Sequence, residues 1–274
     1  MQRNISLIDP VRPFDSGEPL AFAGILAGAR VFSNRLVSGL PQCGYQDLDV
    51  EILFVPRATQ REGIPLPPAI GLEGKIAVDG HWAAIEESPA QPGDRASWIR
   101  RVLPFAAALQ GAVTLHASAV ADPTAVYAFM GATGAGKSTL SSCLASLGLR
   151  TVADDLLPCR VRHGSVAIPI DERQTFLPLR ATYFLNRQDN VECVCRAQLN
   201  RADCLERLLA HGFGEVSVRK AWALQFAIYG SIARTVAAYD LVVPDVLPRL
   251  YDCALEVKAL IAQEAWQASF QPAK

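Results

Sequence analysis

The sequence predicts an α/β chain built around a phosphate-binding loop, with a small β-rich domain ahead of it. Three observations carry that prediction. Gly131-Ala132-Thr133-Gly134-Ala135-Gly136-Lys137-Ser138 fits G-x-x-x-x-G-K-[ST] at every fixed position, between a strand-like and a helix-like segment. Asp154-Asp155 follows after one helix and one short strand, a spacing that can return a carboxylate to the end of a bound triphosphate. Upstream, Leu48, Val50, Ile52 and Phe54 alternate with Asp47, Asp49, Glu51 and Leu53, and Asp79-Gly80 is a strong hairpin signal.

The loop residues explain their own chemistry. Glycines at 131, 134 and 136 let the backbone close around phosphates, so that N–H groups from Gly131 to Thr139 form an anion cradle. Lys137 supplies a point charge for the terminal phosphates, and Ser138 offers a hydroxyl to Mg²⁺. At average residue usage such a match arises by chance in about one chain of this length in a hundred. Ala125–Met130 reads as a buried strand before it. Ser138–Leu147 reads as a helix after it, with its positive end toward the phosphates.

The 274 residues suit one large domain or two small ones, read as 1–94 (small and β-rich) and 95–274 (nucleotide-binding). Half of the residues are hydrophobic, enough for a packed core, and the formal charge is −1. No long basic or acidic run points to a nucleic-acid groove or an anionic membrane, and charged or polar residues interrupt every apolar stretch before it reaches transmembrane length. The N-terminus lacks the apolar core of a signal peptide, so a cytoplasmic location is expected. Cys43, Cys143, Cys159, Cys193, Cys195, Cys204 and Cys253, an odd number, fit reduced thiols better than a disulfide framework. Cys193-Val194-Cys195 with Cys204 matches no standard zinc spacing.

Taken in order, residues 1–18 read as an irregular lead-in and Ala21–Ser33 as β-like. Residues 47–54 form a half-buried strand, Arg57–Pro68 a Pro-rich loop, Lys75–Val78 and His81–Ile85 a hairpin, and Ser88–Asp94 a linker. His81 and Trp82 beside the hairpin turn are expected to pack or lie on the surface. Arg95–Gln110 is helical in pattern, with Pro104 expected to kink it or end a turn. Ala112–Val120 is a buried strand carrying His116, which is either a satisfied core group or a site residue. Gly148 caps the helix after the loop, and Leu149–Ala153 is a strand with Asp154-Asp155 at its exit. There an acid can hold Mg²⁺ or accept a proton from an attacking hydroxyl; adjacent acids point different ways, so their roles divide. The plainer alternative is a turn cap. Val166–Ile170 and Arg180–Leu185 read as strands, and Ala202–Ala210, Val218–Tyr229 and Val246–Ala265 as amphipathic helices. Arg173, Arg180 and Arg187 are candidates to face the phosphates, with nothing to choose among them.

The order HASAV, GATGAGKST, VADD over Leu115–Leu156 resembles the HPr kinase/phosphorylase family, and more closely the HPr-kinase-like proteins that tailor ribosomally made peptides such as lasso peptides. Looser counterparts are Ser38–Pro41 (SGLP), Ala181–Arg187 (ATYFLNR) and Leu208–Gly212 (LLAHG). The resemblance implies a P-loop kinase domain of the HPr kinase/phosphoenolpyruvate carboxykinase-like type, behind a small N-terminal domain. It implies His116 as an active-site histidine, Asp155 as the base that activates a substrate serine, and Asp154 as support for the metal. Members often assemble, so a homo-oligomer is also implied. Two departures stand out. The phosphorolysis signature is represented only by His211-Gly-Phe-Gly214 in poorly fitting surroundings, and the segment between Arg160 and Arg180 is short.

The expectation is therefore a Mg²⁺-dependent kinase that moves the γ-phosphate of ATP to a serine hydroxyl of a peptide or small protein, a lasso-type precursor peptide in particular. Two alternatives stay open: a non-catalytic nucleotide-binding escort of a peptide, and a kinase of a small metabolite such as free serine.

Overall fold

Residue alternation and turn chemistry sort the chain into two sheets. The computed structural model describes residues 21–26, 29–33, 35, 37, 48–55, 62–66, 70–87, 94–162, 164–170, 175–211, 219–245 and 249–269. The expected lead-in, Ser38–Pro41, most of the Arg57–Pro68 loop and of the Ser88–Asp94 linker, Cys43, Arg173 and Gly212–Gly214 lie outside the described residues. The chain divides after Gln110 into two compact units.

The first unit holds β1 (Ala21–Leu26), β2 (Ala29–Ser33), β3 (Leu48–Val55), β4 (Ile64–Pro65), β5 (Gly74–Ile76), β6 (Trp82–Glu86) and α1 (Arg95–Leu109). Its sheet runs β1-β2-β3-β6-β5-β4, parallel at β2/β3 and β3/β6 and antiparallel elsewhere. A central strand is covered on both faces, which corrects the half-buried reading of residues 47–54. Val50, Ile52 and Phe54 are buried on one set of positions, and Leu53 is buried in a small second cluster with Ala84, against which Trp82 packs. The Asp79-Gly80 turn is where it was expected. Gly80 N–H donates to Ala77 O at 3.0 Å, while the next rung is Ala77 N–H to Trp82 O at 2.9 Å, so the loop is longer than two residues. Gly80 has φ +77°, and a Cβ there would lie 2.3 Å from Ala106 O. Asp94 caps α1 by accepting from Ala96 N–H at 3.0 Å. α1 runs on through Pro104 as one helix, so the proline does not end it.

The second unit holds β7 (Val113–Ala121), β8 (Val126–Met130), α2 (Lys137–Ser146), β9 (Arg150–Arg162), β10 (Ser165–Pro169), β11 (Phe176–Gln188), β12 (Cys195–Gln198), α3 (Arg201–His211), α4 (Arg219–Thr235), β13 (Ala237–Pro244) and α5 (Leu250–Ser269). Strand order is β10-β9-β7-β8-β11-β13-β12, and β10 also pairs with the start of β11. Period-two burial distributes the core. Val126, Ala128 and Met130 share one cluster with Leu115, Ala117, Leu208 of α3 and Ile228 and Ile232 of α4. Tyr127 and Phe129 share the other with Tyr183, Leu241, Leu140 and Leu144 of α2 and Val257 of α5. Helices therefore cover both faces, as expected of a largely parallel central strip. Phe129, Tyr183 and Tyr239 stack across β8, β11 and β13 at 5.4 and 5.5 Å between ring centres. Among the described residues, no helix is long and apolar enough to cross a membrane.

Candidate functional site

The loop between β8 and α2 is shaped by its glycines. Gly131 has φ +145°, and a Cβ there would lie 2.6 Å from Leu185 O; Gly134 and Gly136 have φ +83° and +91°. Gly136 is the N-cap of α2 and provides no side-chain cap, so the first-turn N–H groups face outward at the positive end of the helix. Ala135 N–H donates to Ala132 O at 3.1 Å and tightens the loop. Lys137 is buried, and its Nζ donates to Gly131 O at 2.9 Å and Ala132 O at 3.0 Å. Burial pushes its ammonium below the ordinary lysine range, while Asp155 and Asp154 pull it back up. Ser138 and Thr139 are exposed.

Strand β9 brings the acids to this loop. It continues through residue 162, so Asp154 and Asp155 lie inside the strand rather than at its exit. Asp154 registers opposite Ser118 of β7 and Asp155 opposite Ala117. Regular alternation would turn Asp155 to the face of Ala117. Instead Asp155 has φ +112°, the one positive φ outside glycine among the described residues. Its Oδ1 lies 3.1 Å from His116 Nε2, while Asp154 accepts from Ser118 Oγ at 3.0 Å. His116 and Ser118, two apart on β7, share a face, so both acids meet one face of that strand. This corrects the expectation that they point apart. A backbone in this region costs about 1–3 kcal/mol in a residue with a side chain.

Ser118 Oγ also lies 3.5 Å from Ser138 Oγ, so a chain of oxygens runs Asp154, Ser118, Ser138. Among the described residues no group of three His, Cys, Asp or Glu side chains could hold a metal. Mg²⁺ does not need one: it takes one or two protein oxygens and completes its shell with phosphates and water. The hard oxygens of Ser138 and Asp154 fit that pattern.

Residues named from the sequence without a definite role also gather here. Ser118 lies in the HASAV string, two residues after His116. His211 ends α3, its ring stacked 6.0 Å from Phe184, whose register partner is Met130 just before the loop. Burial, then Arg207, Lys137 and His116, hold His211 below the usual histidine range, so it sits within electrostatic reach of the loop. Of the three candidate arginines, Arg187 comes to the loop: a Cβ on Gly136 would lie 3.6 Å from its Cδ, and its guanidinium pairs with Asp245. Arg180, by contrast, has a buried Nε without a hydrogen-bond partner.

On the Thr139 side of the loop lies a cleft with about 480 Å³ of empty volume, part of it open to solvent. Thr139, Leu140, Leu185, Val243, Pro244 and Cys253 give it a mostly apolar lining, and Arg187 joins them. It forms where the ends of β11 and β13 meet the start of α5.

No known protein family matches the chain, and no curated protein does. Among solved structures, the Hpr(Ser) kinase/phosphatase from Coxiella burnetii overlaps 57% of this chain and 98% of its own at 11% sequence identity, with a TM-score of 0.34.

Proposed function

We propose that the chain is a Mg²⁺-dependent kinase that transfers the γ-phosphate of ATP to a serine hydroxyl on a peptide or small protein. The observation that carries this reading is the meeting of two carboxylates with the phosphate loop: Asp154 through Ser118 to Ser138, and Asp155 against His116. A loop with a single acid would serve hydrolysis or binding as well; two acids with different partners suit a metal support and a base. The N–H groups of Gly131–Thr139 and the Lys137 ammonium hold the β- and γ-phosphates, with Lys137 giving up its two carbonyl partners. Ser138 and Asp154 hold Mg²⁺, which neutralises charge on the phosphates. Asp155 orients the acceptor hydroxyl and takes its proton. His116, donating from Nε2, holds Asp155 in place. The apolar cleft beyond Thr139 takes the nucleoside, since the acids mark the opposite side of the loop as the γ-phosphate end.

The acceptor follows from the resemblance in Leu115–Leu156: a ribosomally made precursor peptide of the lasso type. Incubation of such peptides with ATP, Mg²⁺ and the protein, read by mass spectrometry, tests this. The expected product gains one phosphate, about 80 Da, and is absent with Lys137→Ala. The same mass gain on a small molecule instead would replace the peptide as acceptor, and free phosphate alone would remove the kinase reading.

A further inference from the structure

The strand at the far edge of the second sheet carries chemistry that phosphoryl transfer does not use. Cys193 and Cys195 flank the start of β12, and both are exposed. Their sulfurs lie 4.0 Å apart. Side chains two residues apart on a regular strand emerge about 7 Å apart, from a rise of about 3.3 Å per residue. The shorter spacing goes with a bend in the backbone at Glu192 and Cys193, and Cys195 Sγ also approaches Cys193 O at 3.7 Å. The residue between them is anchored. Val194 packs against the cluster shared with α2 and α5, and its N–H donates to Glu256 Oε2 of α5 at 2.8 Å. The turn thus holds its middle inward and presents both thiols outward. Cys159, Cys204 and Cys253 are buried, which keeps a small disulfide from reaching them.

We propose that Cys193 and Cys195 form a reversible dithiol–disulfide couple. The oxidant is a small-molecule disulfide of the glutathione type. One cysteine thiolate attacks it, forming a mixed disulfide and releasing one small thiol. The other cysteine then attacks the protein-bound sulfur, closes the Cys193–Cys195 bond and releases the second small thiol. The protein loses two electrons and two protons, and the oxidant gains both. A disulfide needs its sulfurs about 2.05 Å apart, so closure must shorten the present spacing by about half.

That contraction is felt beyond the edge. Val194 sits between the two sulfurs and is tied to Glu256, one turn past Cys253 of the cleft wall. Cys195 registers opposite Val242, next to Val243 and Pro244 of the same wall. Closing the disulfide pulls Val194 from Glu256 and loosens the first turns of α5. An effect on nucleotide affinity rests on the kinase reading above; the couple and the loosening do not.

The full-length protein is equilibrated with excess oxidised glutathione or with a reductant and analysed by intact and peptide mass spectrometry. The expected result is a loss of about 2 Da, located to Cys193–Cys195, reversed by reductant and absent in Cys193→Ser. Stable glutathione adducts on separate cysteines, or no change, would overturn the couple. Amide exchange on the same samples should quicken at Val194 and across 250–257 by about threefold or more on oxidation of wild type and stay fixed in Cys193→Ser. Equal exchange in both redox states would overturn the coupling to α5. Reduced protein that forms the disulfide yet binds no ATP would sink the kinase reading and leave the couple standing.

Discussion

Two carboxylate sites along β7, one just past its end and one opposite its middle, show what a folded chain does with an acid it needs for stability and with one it holds under strain. Asp122, just past one end, accepts from Thr124 N–H at 2.6 Å, Thr124 Oγ1 at 2.8 Å, Ala125 N–H at 2.8 Å and Tyr127 Oη at 2.8 Å. Burial raises its pKa, but these donors together outweigh burial and hold it below the ordinary carboxylate range. Asp155, opposite Ala117 at the middle of β7, has an unfavourable φ of +112° and a side chain 42% exposed, facing His116. The first arrangement closes a turn. The second keeps a carboxylate open beside the Gly131–Ser138 loop at a cost in backbone energy. Strain of this kind persists where the surroundings enforce it, here by pairing on both sides of residue 155 along β7.

That contrast can be broken in order of effect. Asp155→Asn should slow phosphoryl transfer at least about a hundredfold with ATP affinity unchanged, the usual scale of acid–base contributions; a single-turnover assay decides. Asp122→Ala should leave transfer intact and lower stability by about 2–3 kcal/mol, the scale of hydrogen bonds to a charged group with its donors orphaned. Urea unfolding reads this, and a loss of transfer without a loss of stability would erase the distinction between the sites. Asp154→Asn should raise the Mg²⁺ concentration needed for half-maximal rate about tenfold. Asp155→Gly, which relieves the positive φ, should raise stability by about 1 kcal/mol while abolishing transfer; a lower melting temperature would mean that the strain is not there.

The pH dependence separates the sites further. Asp122 has a depressed folded pKa, so its contribution is present above the ordinary carboxylate range and is lost as pH falls through it. His211 also has a lowered folded pKa, but for a cationic acid this means the unfolded chain binds the proton more readily. Stability then falls as pH drops through the ordinary histidine value of 6.5. His211→Gln should flatten the stability curve from about pH 7 to about pH 5, and Asp122→Ala should flatten it only below that. An unchanged slope in His211→Gln would remove His211 from the electrostatics of the loop.

Much of the site's composition was legible because it is local. Residues 131–138 have fixed chemistry at fixed spacing, and the strand before and helix after them follow from burial and propensity. Asp154 and Asp155 were legible by position but not by direction, since the positive φ that turns Asp155 depends on pairing with β7. Ser118, His211 and Arg187 lie in separate elements and meet only through tertiary structure. Strand β13, where the sequence pointed to no element, is a short run, apolar but for Asp240, that periodicity alone cannot assign. Its burial between β11 and β12 makes it a strand. The N-terminal sheet was legible as β but not as two-faced, because burial on the second face of β3 comes from β2 and β6 alongside it.

The most direct test of the account is a single-turnover comparison of wild type and Asp155→Asn, with ATP affinity measured on the same preparations. Equal affinity with transfer reduced at least about a hundredfold is the predicted result. Equal affinity with nearly equal transfer would show that the strained carboxylate is not the base, and the reading of this site would fall with it.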